Sequence, residues 1–156
     1  MKIHLWLNEK EIIEEINPDL PLLEFVRQMG CYSVKRGCET SNCGLCTVWM
    51  DKKPVLSCSI LAARADGTHI TTLEGVSGRA EEFGTFLANQ GGEQCGFCNP
   101  GFIMNVLAME DELTDPSEQE IKEYLSGNLC RCSGSDSQLR AIRNYLNRNQ
   151  QISEEK

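Results

Sequence analysis

Three cysteines spaced C-x4-C-x2-C stand in the stretch Gly37-Cys38-Glu39-Thr40-Ser41-Asn42-Cys43-Gly44-Leu45-Cys46. A fourth cysteine, Cys58, follows after eleven intervening residues. A loop with thiols this close together must fold tightly, and the two glycines at positions 37 and 44 supply permissive backbone for that. The pattern predicts a loop that wraps a metal centre, with the fourth thiolate arriving from a separate element.

The spacing is typical of plant-type [2Fe–2S] ferredoxins, in which C-x4-C-x2-C precedes a more distant cysteine. Structural zinc is the main alternative, but zinc sites typically pair two similar C-x2-C knuckles about fifteen to twenty residues apart. Here a single C-x2-C occurs, with an extra cysteine in its own loop. We therefore predict a first [2Fe–2S] cluster whose ligands are Cys38, Cys43, Cys46 and Cys58.

A second group of four cysteines lies further along the chain: Cys95, Cys98, Cys130 and Cys132. They form a C-x2-C and a C-x-C that are separated by 31 residues. This spacing favours a second [2Fe–2S] cluster held between helix ends, and zinc is the alternative. Helix N-termini carry positive potential, which suits a thiolate-rich cluster of net negative charge. Two clusters would form an electron-transfer chain, whereas a cluster beside a zinc ion would not.

Composition limits the classes of function. The chain has 156 residues, with 15 Lys and Arg against 23 Asp and Glu, and a formal net charge of −8. This balance argues against binding to nucleic acid or to an anionic membrane, because both require basic patches. No segment approaches the ~18 apolar residues of a membrane span, and the N-terminus does not resemble a signal peptide. We expect a cytoplasmic protein, where disulfides are rare and nine cysteines indicate metal.

Hydrophobic periodicity predicts an α+β protein with two different halves. In residues 1–75, apolar residues alternate from Ile3 to Leu7 as in a strand, and Pro21 begins a helical pattern that stops at Gly30. Further strands are predicted at 11–16, 47–50, 54–56 and 69–73, with a short helix near 59–65. The first half should therefore be a compact sheet packed on one helix.

Residues 76–156 have helical periodicity and few strand signals. Four helices are predicted, at 81–90, 100–110, 116–125 and 137–147, followed by a polar tail at 147–156. Asp115 is expected to cap the third of these helices, with Pro116 at its first position. The turn-rich segment at 75–79 is expected to be a linker, which sets a domain boundary near residue 75. The helices are expected to form a bundle.

Several other residues have simpler interpretations than a functional one. His4 and His69 lie in strand patterns away from cysteine pairs, which argues against a Rieske centre. Cys31 is interpreted as a small apolar residue in a turn. Arg131 lies between two predicted ligands, where it would either offset cluster charge or bind a partner.

Three motifs in a fixed order give the chain a resemblance to a known family. They are the cysteine loop at 37–48, Gln94-Cys95-Gly96-Phe97-Cys98-Asn99-Pro100-Gly101, and Gly127-Asn128-Leu129-Cys130-Arg131-Cys132-Ser133-Gly134. Together they resemble the small iron–sulfur subunit of the molybdenum hydroxylases, the xanthine dehydrogenase and aldehyde oxidase family. The resemblance extends over nearly the whole chain, from Lys2 to Leu146.

The resemblance implies a ferredoxin-like β-grasp domain followed by a four-helix bundle, each carrying one [2Fe–2S] cluster. It implies an electron-transfer subunit, inactive alone, that passes electrons from molybdopterin on a large subunit to FAD on a medium one. The second cluster would lie nearer the molybdenum partner, and Gln94 would contact the pterin. Substrate would bind on that partner, and the resemblance favours N-heterocycles while leaving aldehydes and carbon monoxide open.

Two alternatives from other functional classes remain at this stage. The first is a free-standing ferredoxin-like carrier that serves several partners, although such a carrier needs no second cluster domain. The second is a structural zinc protein, which would be colourless where an iron–sulfur protein is red-brown.

Overall fold

Five strands form one mixed sheet in the order β2-β1-β5-β3-β4 in the computed structural model, which describes residues 1–148. Strand β1 pairs antiparallel with β2 and parallel with β5, while β3 pairs antiparallel with both β4 and β5. The strands are β1 Lys2–Leu7, β2 Lys10–Glu15, β3 Thr47–Met50, β4 Lys53–Leu56 and β5 His69–Thr71. The sheet confirms all five predicted strands, within one or two residues at their ends.

The two hairpins, β1–β2 and β3–β4, turn through pairs of residues in the left-handed region. The φ angles are 49° and 65° at Asn8 and Glu9, and 49° and 66° at Asp51 and Lys52. Two-residue turns of this kind match the right-handed twist of the strands that they join. Both turns were predicted, and their geometry fixes the register of each hairpin.

Helix α1, Leu22–Gln28, packs on one face of the sheet. Its buried side chains include Phe25 and Val26, which lie in one core with Ile3 and Leu5 of β1. Two short 3₁₀ turns, at Ser57–Ser59 and Ala62–Ala65, replace the single short helix predicted there. The first half therefore has the predicted β-grasp arrangement, a sheet that holds one helix against its face.

Four helices make up the second half, as predicted: α2 Ser77–Asn89, α3 Asn99–Glu112, α4 Glu118–Tyr124 and α5 Ser135–Leu146. They surround one apolar core to which Phe83, Leu107 and Tyr145 contribute. No helix within residues 1–148 is long and apolar enough to cross a membrane. Most of the predicted polar tail lies outside the described residues.

Two local predictions in this half are wrong. The segment at 75–79 is not a linker, because it completes a 3₁₀ turn, Leu73–Val76, and begins α2. Asp115 does not cap α4; Ser117 does, in a capping box in which its hydroxyl and the Glu120 carboxylate satisfy each other's backbone N–H groups. Pro116 precedes this cap, so the helix begins later than the proline suggested. The division at residues 75 and 76 stays a prediction.

The two halves share an interface along β3. The buried ring of Trp49 belongs to the core of the helical half, and its Nε1 donates a hydrogen bond of 2.9 Å to the carbonyl oxygen of Met104 in α3. In the same strand Val48 packs in the core of the sheet half. Because neighbouring residues of one strand serve different cores, the sheet and the helices are packed directly against each other.

We predict that Gly101→Ala destabilises the fold, because a Cβ at this first turn of α3 would overlap the Gly44 carbonyl oxygen and lie 2.9 Å from Leu45 Cα. Overpacking of this kind typically costs about 1–3 kcal/mol in the free energy of unfolding. The urea midpoint, followed by far-UV circular dichroism, should fall accordingly. Gly84→Ala in α2 is the control, since nothing lies within 4 Å of its added Cβ. It should stabilise the helix by about 0.5–1 kcal/mol, and equal midpoints for both variants would contradict the prediction.

Candidate metal centres

The eight cysteines of the two predicted sites lie as four pairs of thiols in mutual contact. Cys132 donates a sulfur–sulfur hydrogen bond of 3.7 Å to Cys95. In the other pairs each thiol shifts the pKa of its neighbour; these pairs are Cys38 with Cys43, Cys46 with Cys58, and Cys98 with Cys130. Each predicted ligand set therefore consists of two pairs, and no pair mixes the two sets.

Pairs of thiols suit a binuclear cluster better than a single ion. A [2Fe–2S] cluster takes four protein ligands, two on each iron, whereas structural zinc needs four ligands arranged tetrahedrally about one point. The donor set, all thiols and arranged in pairs, fits a [2Fe–2S] cluster at each site.

The first site is built from the cysteine loop and the 3₁₀ turn after β4. Cys43 and Cys46 are buried, while Cys38 and Cys58 are half-buried. Ser57 fixes the turn to the loop, because its hydroxyl and its N–H donate hydrogen bonds of 2.7 and 3.3 Å to the Cys46 carbonyl oxygen. Cys58 thereby reaches Cys46, although the chain between them forms a strand pair.

Backbone N–H groups of the loop point at sulfur in this site. Hydrogen bonds to the Cys38 sulfur, the strongest from the Asn42 N–H, lower the pKa of Cys38 to about 6. Burial has the opposite effect deeper in the site, where it raises the pKa of Cys46 to about 11. The outer edge of the site thus favours a thiolate before any metal binds.

The second site lies between the N-termini of two helices, as predicted. Helix α3 begins at Asn99, directly after Cys98, and α5 begins at Ser135, shortly after Cys132. Burial raises the pKa of Cys130, but hydrogen bonds from the Ser133 hydroxyl and N–H, at 3.2 and 3.4 Å, outweigh it and bring the pKa to about 6. Burial raises the pKa of Cys98 to about 11.

Each pair divides into one thiol of lowered pKa and one of raised pKa. Burial is the largest contribution at most of them, and the sulfur–sulfur hydrogen bond then lowers one pKa of each pair and raises the other. The lowered members are Cys38, Cys58, Cys95 and Cys130. The apparent pKa values of such interacting thiols belong to the pair and not to either sulfur alone.

The two sites border a single cavity of about 480 Å³. Two cysteines of the first site and all four of the second line it, together with Leu129 and Arg131. A backbone hydrogen bond of 2.9 Å runs from the Leu129 N–H to the Cys43 carbonyl oxygen. The backbone segments of the two sites are therefore in direct contact, although Cys46 and Cys130 are 84 positions apart in the sequence.

The second site is also the more open to solvent. Cys95 and Cys132 are exposed, and so is the neighbouring Gln94. Two large apolar side chains, Phe97 and Leu129, are 47% and 52% exposed beside these cysteines. This side of the protein combines reactive thiols, an amide and apolar surface, which is the composition expected where another protein covers a site.

Residues excluded from the sites by sequence lie away from them. Cys31 is buried in the sheet core, where its sulfur accepts a 3.5 Å hydrogen bond from the Asn8 amide. His4 and His69 pack against the two sides of the Trp6 ring, with ring centroids 4.7 Å from it.

Sequence reasoning missed Asn128, which stands just before the C-x-C. Its Nδ2 donates hydrogen bonds of 3.3 Å to the carbonyl oxygens of Gly44 and Gly101. The sequence offers one signal for it, an amide residue beside two predicted ligands. Its acceptors lie 84 and 27 residues away, so no local pattern could have named them.

Comparison with known proteins covers both halves. Residues 6–72 match the 2Fe-2S iron-sulfur cluster binding domain, and residues 72–143 match the [2Fe-2S] binding domain. The nicotinate dehydrogenase small FeS subunit of Eubacterium barkeri is 41% identical over 135 residues, which are 85% of this chain and 86% of that one. The xanthine dehydrogenase iron-sulfur-binding subunit of Escherichia coli O157:H7 is 45% identical over 124 residues, 75% and 76% of the two chains.

A solved structure shares the whole arrangement. A chain of quinoline 2-oxidoreductase from Pseudomonas putida 86 superposes with a TM-score of 0.87 at 32% identity, over 97% of this chain and 96% of that chain. Sequence and fold thus agree over both halves of the chain. The chain belongs to the family of small [2Fe–2S] subunits of the molybdenum hydroxylases.

Proposed function

We propose that this chain carries electrons from a large molybdopterin-containing subunit, through two [2Fe–2S] clusters, to a medium subunit that binds FAD. The observation that carries the proposal is that two sets of paired cysteines border one cavity within a single packed chain. Each cluster would carry one electron at a time. The two electrons released by oxidation of the substrate would therefore leave the substrate site one after the other. Substrate would be oxidised on the partner, so this chain has no activity alone.

The pairing of thiols suggests how the ligands divide between irons. In the first cluster, Cys38 and Cys43 would hold one iron, and Cys46 and Cys58 the other. In the second, the pairs would be Cys95 with Cys132 and Cys98 with Cys130. Metal binding needs all eight as thiolates, and one member of each pair already has a lowered pKa.

The difference in exposure supports an order for the two clusters. Electrons would enter at the second site, where Cys95 and Cys132 are exposed and Phe97 offers apolar surface to a partner. Gln94 lies on this exposed side, where its amide would contact the pterin of the large subunit. The first site would then pass electrons toward FAD.

Family membership also bears on the substrate. The names of its relatives include nicotinate, xanthine and quinoline, which are all N-heterocycles. We propose an N-heterocycle as the substrate of the complex, bound on the large subunit, and we place the complex in the cytoplasm. A free-standing carrier and a zinc protein are disfavoured, since relatives are subunits and both halves match [2Fe–2S] domains.

The proposal is tested by purifying the chain with its natural partners. The complex should contain molybdenum, flavin and about four irons per copy of this chain, given two [2Fe–2S] clusters. Adding substrate without an electron acceptor should bleach the red-brown colour, because the clusters become reduced. A chain that purifies alone, with four irons and no molybdenum in any fraction, would support the free carrier instead. Zinc in place of iron would support the structural zinc protein.

We predict that Cys43→Ser removes the first cluster and leaves the second, because no sulfur–sulfur pair joins the two sets. Iron and acid-labile sulfide should each fall from about four to about two per chain. Electron paramagnetic resonance of the reduced protein should lose one of two signals. Cys31→Ser is the matched control, since Cys31 lies in the sheet core, and it should keep both signals. Loss of all iron from Cys43→Ser would mean that the sites assemble as one unit.

We predict that Gln94→Ala leaves both clusters intact but weakens electron entry from the molybdenum partner. Loss of one buried hydrogen bond costs ~1–3 kcal/mol, or roughly a five- to hundred-fold change in an equilibrium constant. Substrate-driven reduction of the clusters should slow, or the complex should lose molybdopterin. Gln119→Ala is the control, because this exposed amide on α4 contacts only its helix neighbour Glu123 in the hydrogen bonds of residues 1–148. Equal reduction rates and equal molybdopterin content for Gln94→Ala and parent would exclude the contact.

A further inference from the structure

Asn128 lies at the point where the two cysteine loops meet. Its Nδ2 donates to the carbonyl oxygen of Gly44, which lies between Cys43 and Cys46 of the first loop, and to that of Gly101 in the first turn of α3. Both hydrogen bonds are 3.3 Å long. One carboxamide therefore ties the first loop to the helix that follows the C-x2-C, and does so from the segment that leads into the C-x-C.

The Asn128 side chain is itself held in place. Its Oδ1 accepts a hydrogen bond of 2.6 Å from the Asn105 Nδ2 in α3, and Asn105 donates a second one, of 3.3 Å, to the Tyr124 carbonyl oxygen. The Asn128 N–H donates to the Leu125 carbonyl oxygen at 2.9 Å. Hydrogen bonds of both the side-chain amide and the backbone hold Asn128 in one orientation. In that orientation its Nδ2 faces the carbonyl oxygens of Gly44 and Gly101.

The backbone segments around Asn128 are in direct contact. A side chain on Gly44 would overlap the Gly127 carbonyl oxygen and lie 2.6 Å from the Asn128 Nδ2. A side chain on Gly101 would overlap the Gly44 carbonyl oxygen. Because no space separates these three segments, a shift in one is transmitted to the others.

The same junction carries the shortest covalent and hydrogen-bonded link between the two sets of cysteines. Leu129 follows Asn128 and precedes Cys130, and its N–H donates a 2.9 Å hydrogen bond to the carbonyl oxygen of Cys43. The path from Cys43 to Cys130 therefore consists of this one hydrogen bond and one intervening residue, Leu129. Asn128 precedes the donor of this hydrogen bond directly in the chain.

We propose that Asn128 is a positioning residue that fixes the separation of the two clusters and, through it, the rate of electron transfer between them. The inference rests on the proposed function, since it presupposes a cluster at each site. The rate of electron tunnelling falls exponentially with distance, so a small movement of the first loop away from α3 slows transfer. Asn128 touches neither cluster as a ligand; it acts by holding the Gly44 and Gly101 carbonyl groups.

The test uses the full chain with both clusters loaded. Asn128→Ala removes both donors, and Asn105→Ala removes the hydrogen bond that orients them. Iron and sulfide content and the two individual paramagnetic signals should match the parent. The magnetic interaction between the two reduced clusters should weaken, and transfer between them after rapid photoreduction should slow severalfold, because tunnelling weakens as the clusters move apart. Asn105→Ala should show the same change to a smaller extent, and Gln119→Ala none.

Unchanged magnetic interaction and unchanged transfer rate in a fully loaded Asn128→Ala chain would overturn the inference. If Asn128→Ala fails to fold, Asn105→Ala serves as the test instead. An electron-transfer rate and a magnetic interaction equal to those of the parent would then overturn the inference. Failure of the proposed function is distinguishable. A parent chain without four irons would remove the clusters on which the inference rests, whereas a parent chain with four irons and no molybdenum partner would overturn the proposed function and leave this inference to its own test.

Discussion

Gly44 of the first cysteine loop and Gly101 of α3 approach so closely that a side chain on Gly101 would overlap the backbone of the other. This contact joins the sheet half to the helical half at the point where both carry cysteines. Gly44 also has a φ of +76°, a conformation that L-residues with side chains rarely adopt. The loop can therefore turn toward α3 only with glycine at this position. The contact between the cysteine loop and α3 depends on that approach.

The two sites meet different physical demands within this one framework. The first buries Cys43 and Cys46, so that solvent and stray reactants are kept from its inner sulfurs. The second leaves Cys95 and Cys132 at the surface, which under the proposed function would let an electron donor come close. Burial by the large subunit would complete the protection of the second site once the complex has formed. A chain that worked alone would gain nothing from this asymmetry.

Sequence predicted the parts of the structure that depend on local pattern. Alternation along β1 and the helical spacing after Pro21 predicted a sheet packed on one helix, which the structure has. Cysteine spacing predicted two ligand sets, and these stay a prediction. The linker predicted at 75–79 was wrong. Gly and Ser in this segment favour a turn, but α2, whose Phe83 packs in the core of the helical half, already begins at Ser77. The ring of Trp49 and the amide of Asn128 could not be assigned, since their partners, Met104 and Gly44, are distant in sequence.

Assembly of the clusters has a basis in the same paired geometry. A thiol must lose its proton before it binds iron, and the pKa values of Cys38 and Cys130, about 6, make them largely thiolates at neutral pH. Their counterparts Cys43 and Cys98 have raised pKa values and hold the proton. Each site therefore contains at least one sulfur that favours the thiolate before metal binds, beside a neighbour that favours the thiol.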